Sequence, residues 1–127
     1  MKFNIGQWVL KPGVQTYNCE QIRKVSLSED KTELYLFVVP YREDIRSMGG
    51  PAQEIVISSP QPDMIRLQTV HFKGDRRKYP KFEIDDKRIP LEYSENDDEI
   101  TVKSGNTKLI IGRKTPCSFA YYYEDRK

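Results

Sequence analysis

Few residues of this chain have the type and spacing for chemistry. Its 19 acidic residues include two adjacent pairs, Asp85–Asp86 and Asp97–Asp98. Paired carboxyls cleave glycosidic bonds when they stand about 5–5.5 Å apart (retention) or about 6.5–9.5 Å apart (inversion). Neighbours on an extended strand point to opposite faces, and both pairs sit in polar stretches, so they read as solvated turn acids. His71 is the only histidine. Nucleophilic catalysis needs a base beside an activated hydroxyl or thiol, and neither Cys19 nor Cys117 has a sequence reason to lie near it. A lone histidine cannot build a histidine-rich metal centre. His71 therefore reads as a strand-end residue that orients the following loop. That loop, Lys73 to Lys81, sets five basic residues around Tyr79. Basic side chains interleaved with aromatics can grip phosphates. Here the cluster is confined to one loop, which reads as solvated or as docking on an acidic partner surface. The aromatics Trp8, Tyr35, Phe37, Phe119, Tyr121, Tyr122 and Tyr123 could stack sugars, but most fall in strand patterns and read first as core or inter-domain contacts.

These residues must be positioned by strands. Gln7–Leu10 is a short apolar run stopped by Pro12-Gly13. Gln21–Leu27 puts Val25 and Leu27 on one face, and Ser28–Lys31 is a polar turn. Glu33–Val39 is apolar on both faces, the pattern of a strand covered on both sides. Two β-branched runs, Ile55–Ser59 and Ile65–Phe72, flank Pro60-Gln61-Pro62-Asp63. Proline cannot donate to a sheet ladder, so this segment forces a hairpin turn. Phe82–Ile84, Leu91–Tyr93 and Glu99–Lys103 alternate in hydrophobicity. Glu95–Asp98 reads as one turn and Ser104-Gly105-Asn106 as another. Thr107–Ile111 and Cys117–Tyr123 complete about nine strands at the spacing of an antiparallel β-sandwich. Tyr41 to Met48 has room for one helical turn at most. Trp8 and the strand Leu34–Val39 are expected in the core. A meander ending on Cys117–Tyr123 leaves a sheet edge open, to be covered by further chain or by another copy.

The bulk properties agree with one all-β domain. The 127 residues are 37% hydrophobic and 11% aromatic, enough for a core. Charged residues make up 31%, yet they nearly cancel to +2, which argues against a dedicated nucleic-acid binder. No apolar run approaches the ~20 residues of a membrane helix, and the N-terminus lacks a signal-peptide core. The chain reads as cytoplasmic, which makes free thiols the expectation for Cys19 and Cys117.

Four segments, in order, carry a family likeness. They are Met1-Lys2-Phe3 with Gly6-Gln7-Trp8-Val9-Leu10 and Pro12-Gly13-Val14; Ile55-Val56-Ile57-Ser58-Ser59-Pro60; Ile65-Arg66-Leu67 with His71-Phe72-Lys73-Gly74; and Lys103-Ser104-Gly105-Asn106 with Leu109-Ile110-Ile111. Together they span nearly the whole chain, and it resembles the N-terminal, galactose-mutarotase-like β-sandwich domain of glycoside hydrolase family 31, bacterial α-xylosidase and α-glucosidase type. No single motif is diagnostic; their order and spacing carry the resemblance.

The resemblance implies that residues 1–127 are a single sandwich or the first part of a truncated one. In the family a (β/α)8 barrel supplies both catalytic aspartates, so no catalytic residue is expected here. The implied parent is a retaining α-xylosidase or α-glucosidase, and this domain packs on its barrel and shapes the aglycone side of the active site. In the family a loop at the position of Pro40–Gly50 extends toward the barrel, which makes Tyr41, Arg42, Arg46 and Met48 the candidates for substrate-rim or barrel contacts; a plain surface loop is the alternative. The expected partners are that barrel and, through it, an oligosaccharide. No cofactor, metal, nucleic acid or membrane is expected. A homo-oligomer is expected, through the Cys117–Tyr123 strand or the Pro40–Gly50 loop. The other function considered is a stand-alone carbohydrate-binding module; a third is a protein-interaction sandwich.

Overall fold

The computed structural model describes residues 9–14, 16–40, 52–70 and 87–127. Among them are eight strands and no helix, as the alternating patterns predict. β1 (Cys19–Leu27), β2 (Glu33–Pro40), β3 (Gln53–Ser58) and β4 (Arg66–Val70) form one antiparallel sheet in sequential order. β5 (Glu92–Glu95), β6 (Glu99–Ser104), β7 (Thr107–Gly112) and β8 (Ser118–Tyr123) form the second in the same way. The two sheets make a β-sandwich around one core.

The core is written in the period of two. On β2, Leu34, Leu36 and Val38 point inward; on β3, Ile55 and Ile57; on β6, Ile100 and Val102; on β7, Leu109 and Ile111. Leu34, Leu36, Ile57, Ile100, Val102, Leu109 and Ile111 are sealed completely. Each contributes about 1.5–3 kcal/mol of burial. The edge strands supply partly buried neighbours: Ile22, Val25 and Leu27 from β1, Leu67 from β4, Tyr93 from β5 and Phe119 beside Ile111 from β8. Val25 and Leu27 share the inner face, as their spacing predicts.

The turns lock the layers together. In the β1–β2 turn, Asp30 Oδ1 accepts hydrogen bonds from Ser28 Oγ (2.7 Å), Thr32 Oγ1 (2.8 Å) and the Thr32 amide (3.2 Å). These donors hold the Asp30 carboxyl below its usual pKa, because each favours the charged form. The β3–β4 turn is clamped to the β6–β7 turn. Asp63 Oδ1 accepts the Asn106 amide at 2.5 Å, and Thr107 Oγ1 donates to the Asp63 carbonyl at 2.6 Å. Gly105 lies between them at φ +58°, where a side chain would run into Asp63. Below this clamp, the buried hydroxyls of Ser59 and Ser104 meet at 2.6 Å. Ser59 Oγ–H already donates to the Gln61 carbonyl at 2.8 Å, so Ser104 must be the donor across the sheets.

Three expectations change. The chain segment at Val9 and Leu10 is no core strand: Val9 is 55% and Leu10 38% exposed. β2 is not covered on both sides, because the sandwich has two layers and Phe37, on the outer face, is 41% exposed. Glu95 belongs to β5, paired with Ile100, and the turn is confined to residues 96–98. There the Asn96 side chain accepts the Asp98 and Glu99 amides, at 2.9 and 2.7 Å, and replaces Glu95 as the turn-former. Trp8, the Phe82–Ile84 run and the Tyr41–Met48 segment lie outside the described residues.

Candidate functional site

The four residues assigned to a substrate rim or barrel contact, Tyr41, Arg42, Arg46 and Met48, lie outside the described residues, as do His71, Asp85, Asp86 and the Lys73–Lys81 loop. The Asp97–Asp98 pair is the solvated turn that its sequence predicts. Both residues are exposed. Asp98 pairs with Lys114 at 3.2 Å, and its carbonyl accepts the Arg113 amide at 2.8 Å.

Other carboxylates have structural partners. Glu33 takes the Tyr35 hydroxyl and the Arg88 guanidinium on the outer face of β2. Glu95 pairs with Arg113 at 3.0 Å, and Asp125 with Lys108 at 3.4 Å. Tyr93, beside Glu95, has its phenol pushed up to about 12, by burial first and then by the Glu95 carboxylate. Among the described residues no three His, Cys, Asp or Glu side chains converge as metal ligands. Among them too, no helix is long and apolar enough to cross a membrane.

Among the described residues, the aromatics considered for sugar stacking do not form one platform. They divide among three places. Tyr122 lies on the outer face of β8, with the Lys108 ammonium 5.4 Å from its ring centre. Phe119, Tyr121 and Tyr123 alternate on the inner side of β8, facing Ile111, Leu109 and Thr107 of β7. Leu109 is sealed, whereas Tyr121 is 43% and Tyr123 51% exposed. The core is therefore closed over β6 and β7 and open along β8. After Tyr123 the chain turns sharply through Glu124 and Asp125, both at positive φ (47° and 62°). Tyr123 and Arg126 exchange amide–carbonyl bonds of 2.9 Å in each direction, which lays Arg126 against the edge of β8 away from β7.

Tyr35 and Phe37 occupy the third place, the outer face of the first sheet. Register makes a grid there. Phe37 stands between Lys24 on β1 and Glu54 on β3, and Tyr35 between Ser26 and Val56. Lys24, Ser26, Tyr35, Leu36, Phe37 and Glu54 line a shallow groove of about 340 Å³. A ring flanked across the strands by an ammonium and a carboxylate offers an apolar floor with a donor on one side and an acceptor on the other. The sequence shows Tyr35 and Phe37 two residues apart, but Lys24 and Glu54 reach them only through the β1–β2–β3 register, bulges included.

A scan against protein-family models finds no match.

Proposed function

We propose that this chain is the non-catalytic N-terminal β-sandwich of an α-glycosidase of glycoside hydrolase family 31. In this reading the parent hydrolyses α-linked xylosides or glucosides, and the sandwich carries no catalytic group. The single observation that supports it is the unfinished core along β8. An aromatic row that begins under Ile111 and runs out half exposed at Tyr121 and Tyr123 is the kind of surface on which a second domain packs. The family likeness names that domain as the (β/α)8 barrel. Tyr41, Arg42, Arg46 and Met48 then face the barrel or its substrate rim. The test is the coding frame beyond Lys127. A barrel carrying two catalytic aspartates supports the proposal, and a stop codon or an unrelated domain overturns it. The 127-residue chain by itself is expected to match a buffer blank with aryl α-xyloside and aryl α-glucoside.

A second reading, a sandwich that binds carbohydrate directly, is favoured by the Lys24–Phe37–Glu54 row. A pyranose could lay its apolar face on Phe37 and give its hydroxyls to the flanking charges. Titration with xylose and glucose oligosaccharides, followed by chemical shifts of β1–β3 amides, tests this. Shifts abolished by Phe37→Ala support it; no shifts reject it.

A further inference from the structure

We propose that Cys19 and Cys117, the only cysteines of the chain, close into an intramolecular disulfide when the protein meets a small-molecule disulfide such as oxidised glutathione. The bond would latch the first strand of one sheet to the last strand of the other. It is independent of the glycosidase reading.

The two residues stand at opposite ends of the described strands, yet the fold brings them to one seam. Cys19 begins β1, an edge of the first sheet, and Cys117 precedes β8, an edge of the second. The Cys117 amide donates a 2.8 Å hydrogen bond to the carbonyl of Glu20, the residue next to Cys19. That bond sets Cys117 across from Glu20 and so within one residue of Cys19 along the seam. Closing a disulfide requires Cα atoms about 4.4–6.8 Å apart, so the bond forms only if the seam brings the two residues into that range. Both side chains also pack, partly buried, against the same hydrophobic cluster. They are close enough for Cys19 to act on the ionisation of Cys117. Burial raises the Cys117 thiol most, and the Glu20 carboxylate and Cys19 raise it further. Burial alone raises Cys19. No disulfide joins them in the structure.

The chemistry is two exchanges. One cysteine loses its proton, and the thiolate attacks a sulfur of the oxidant, forming a mixed disulfide and expelling one glutathione thiolate. The second cysteine, deprotonated in turn, attacks the protein-side sulfur of that mixed disulfide and expels the other glutathione thiolate. Two protein thiols are oxidised by two electrons, and one disulfide oxidant is reduced to two thiols. With raised thiol pKa values the thiolate is scarce near neutrality, so the reaction is slow at pH 7. Its rate rises about tenfold per pH unit until the attacking thiol is ionised.

The test incubates the whole 127-residue chain with oxidised glutathione and reads intact mass. The expected product is a monomer lighter by two hydrogens, with no alkylatable thiol and with a protease-released cross-link between the Cys19 and Cys117 peptides. The same treatment in concentrated urea should give mainly glutathione adducts, because unfolding separates the two residues. Oxidised protein should unfold at a higher urea concentration than reduced protein, and this shift should vanish in Cys19→Ser and in Cys117→Ser. Stable adducts on both cysteines of the folded chain, cross-links only between chains, or equal cyclisation in folded and unfolded protein would each overturn the proposal. The mass readout on the unmutated chain decides the matter even if a serine variant fails to fold.

Discussion

The two sheets share a plan and use their aromatics in opposite ways. In the β1–β4 sheet, Tyr35 and Phe37 sit on an inner strand and point out to solvent. In the β5–β8 sheet, Phe119, Tyr121 and Tyr123 sit on an edge strand and point inward, along a row that the opposite layer does not fully cover. The central rows of both sheets are buried. The contrast separates two jobs that aromatic strands can do. An aromatic on an outer face, flanked by charges, leaves an apolar floor between an ammonium and a carboxylate. An aromatic row that continues a core to its edge leaves apolar surface half exposed. A residue count cannot distinguish them; direction relative to the sandwich does.

The comparison breaks most easily at the centre. Leu36→Ala in the first sheet and Leu109→Ala in the second should each cost about 2–5 kcal/mol, measured by urea unfolding. A change within about 0.5 kcal/mol at either one would mean that its layer is not sealed as described.

The bond between the layers should show a smaller and asymmetric effect. Ser59→Ala leaves the buried Ser104 hydroxyl without its acceptor and should cost about 1–3 kcal/mol. Ser104→Ala leaves Ser59 bonded to the Gln61 carbonyl and should cost only about 0.5–1.5 kcal/mol. The reverse order would reverse the donor assignment. In the turn clamp, Gly105→Ala should cost about 1–2 kcal/mol for the left-handed backbone alone, with a further loss as Asp63 is displaced. Asn106 amide exchange should speed up in that variant.

Tyr121→Ser tests the open row. The ring points inward beside Leu109 and is 43% exposed, so stability should fall, but by less than in Leu109→Ala. If the row is sticky, sedimentation at high concentration should show less self-association than in the unmutated chain. Equal association in both proteins would move the contact elsewhere.

The smallest effect is electrostatic. Asp30 has a folded pKa below its unfolded value, so its contribution to stability is present above the unfolded pKa and is lost as pH falls through the folded one. Asp30→Ala should therefore be less stable than the unmutated chain at pH 7 and converge with it in strong acid. A stability difference that persists unchanged at the lowest pH would mean that the carboxylate charge plays no part in the turn.

Much of the scaffold is legible in the chain. Leu34, Leu36 and Val38, or Ile100 and Val102, are spaced by two and bounded by turn residues. That is enough to place a strand and its inner face, because side chains alternate across a strand. Pro60 to Asp63 and Gly105-Asn106 announce their hairpins through backbone restrictions that are local. Local rules fail where a strand's neighbours decide. Val9 and Leu10 look like a core strand by composition and are exposed, since an apolar run is buried only where a facing layer has room for it. The candidate site shows the same limit. Phe37 was visible as an aromatic, but the Lys24 and Glu54 beside it were not.

The sequence by itself determined that this protein is an antiparallel all-β sandwich, with most strands and turns near their observed places. Those depend on period-two hydrophobicity and on proline and glycine backbone limits, both written within a few residues. The tertiary structure alone decided which aromatics face solvent, which hydroxyl donates across the layers, and that Cys19 and Cys117 come to one seam. Each of those facts joins residues far apart in the chain, and is set by sheet register and by the stacking of two layers, which no local pattern encodes.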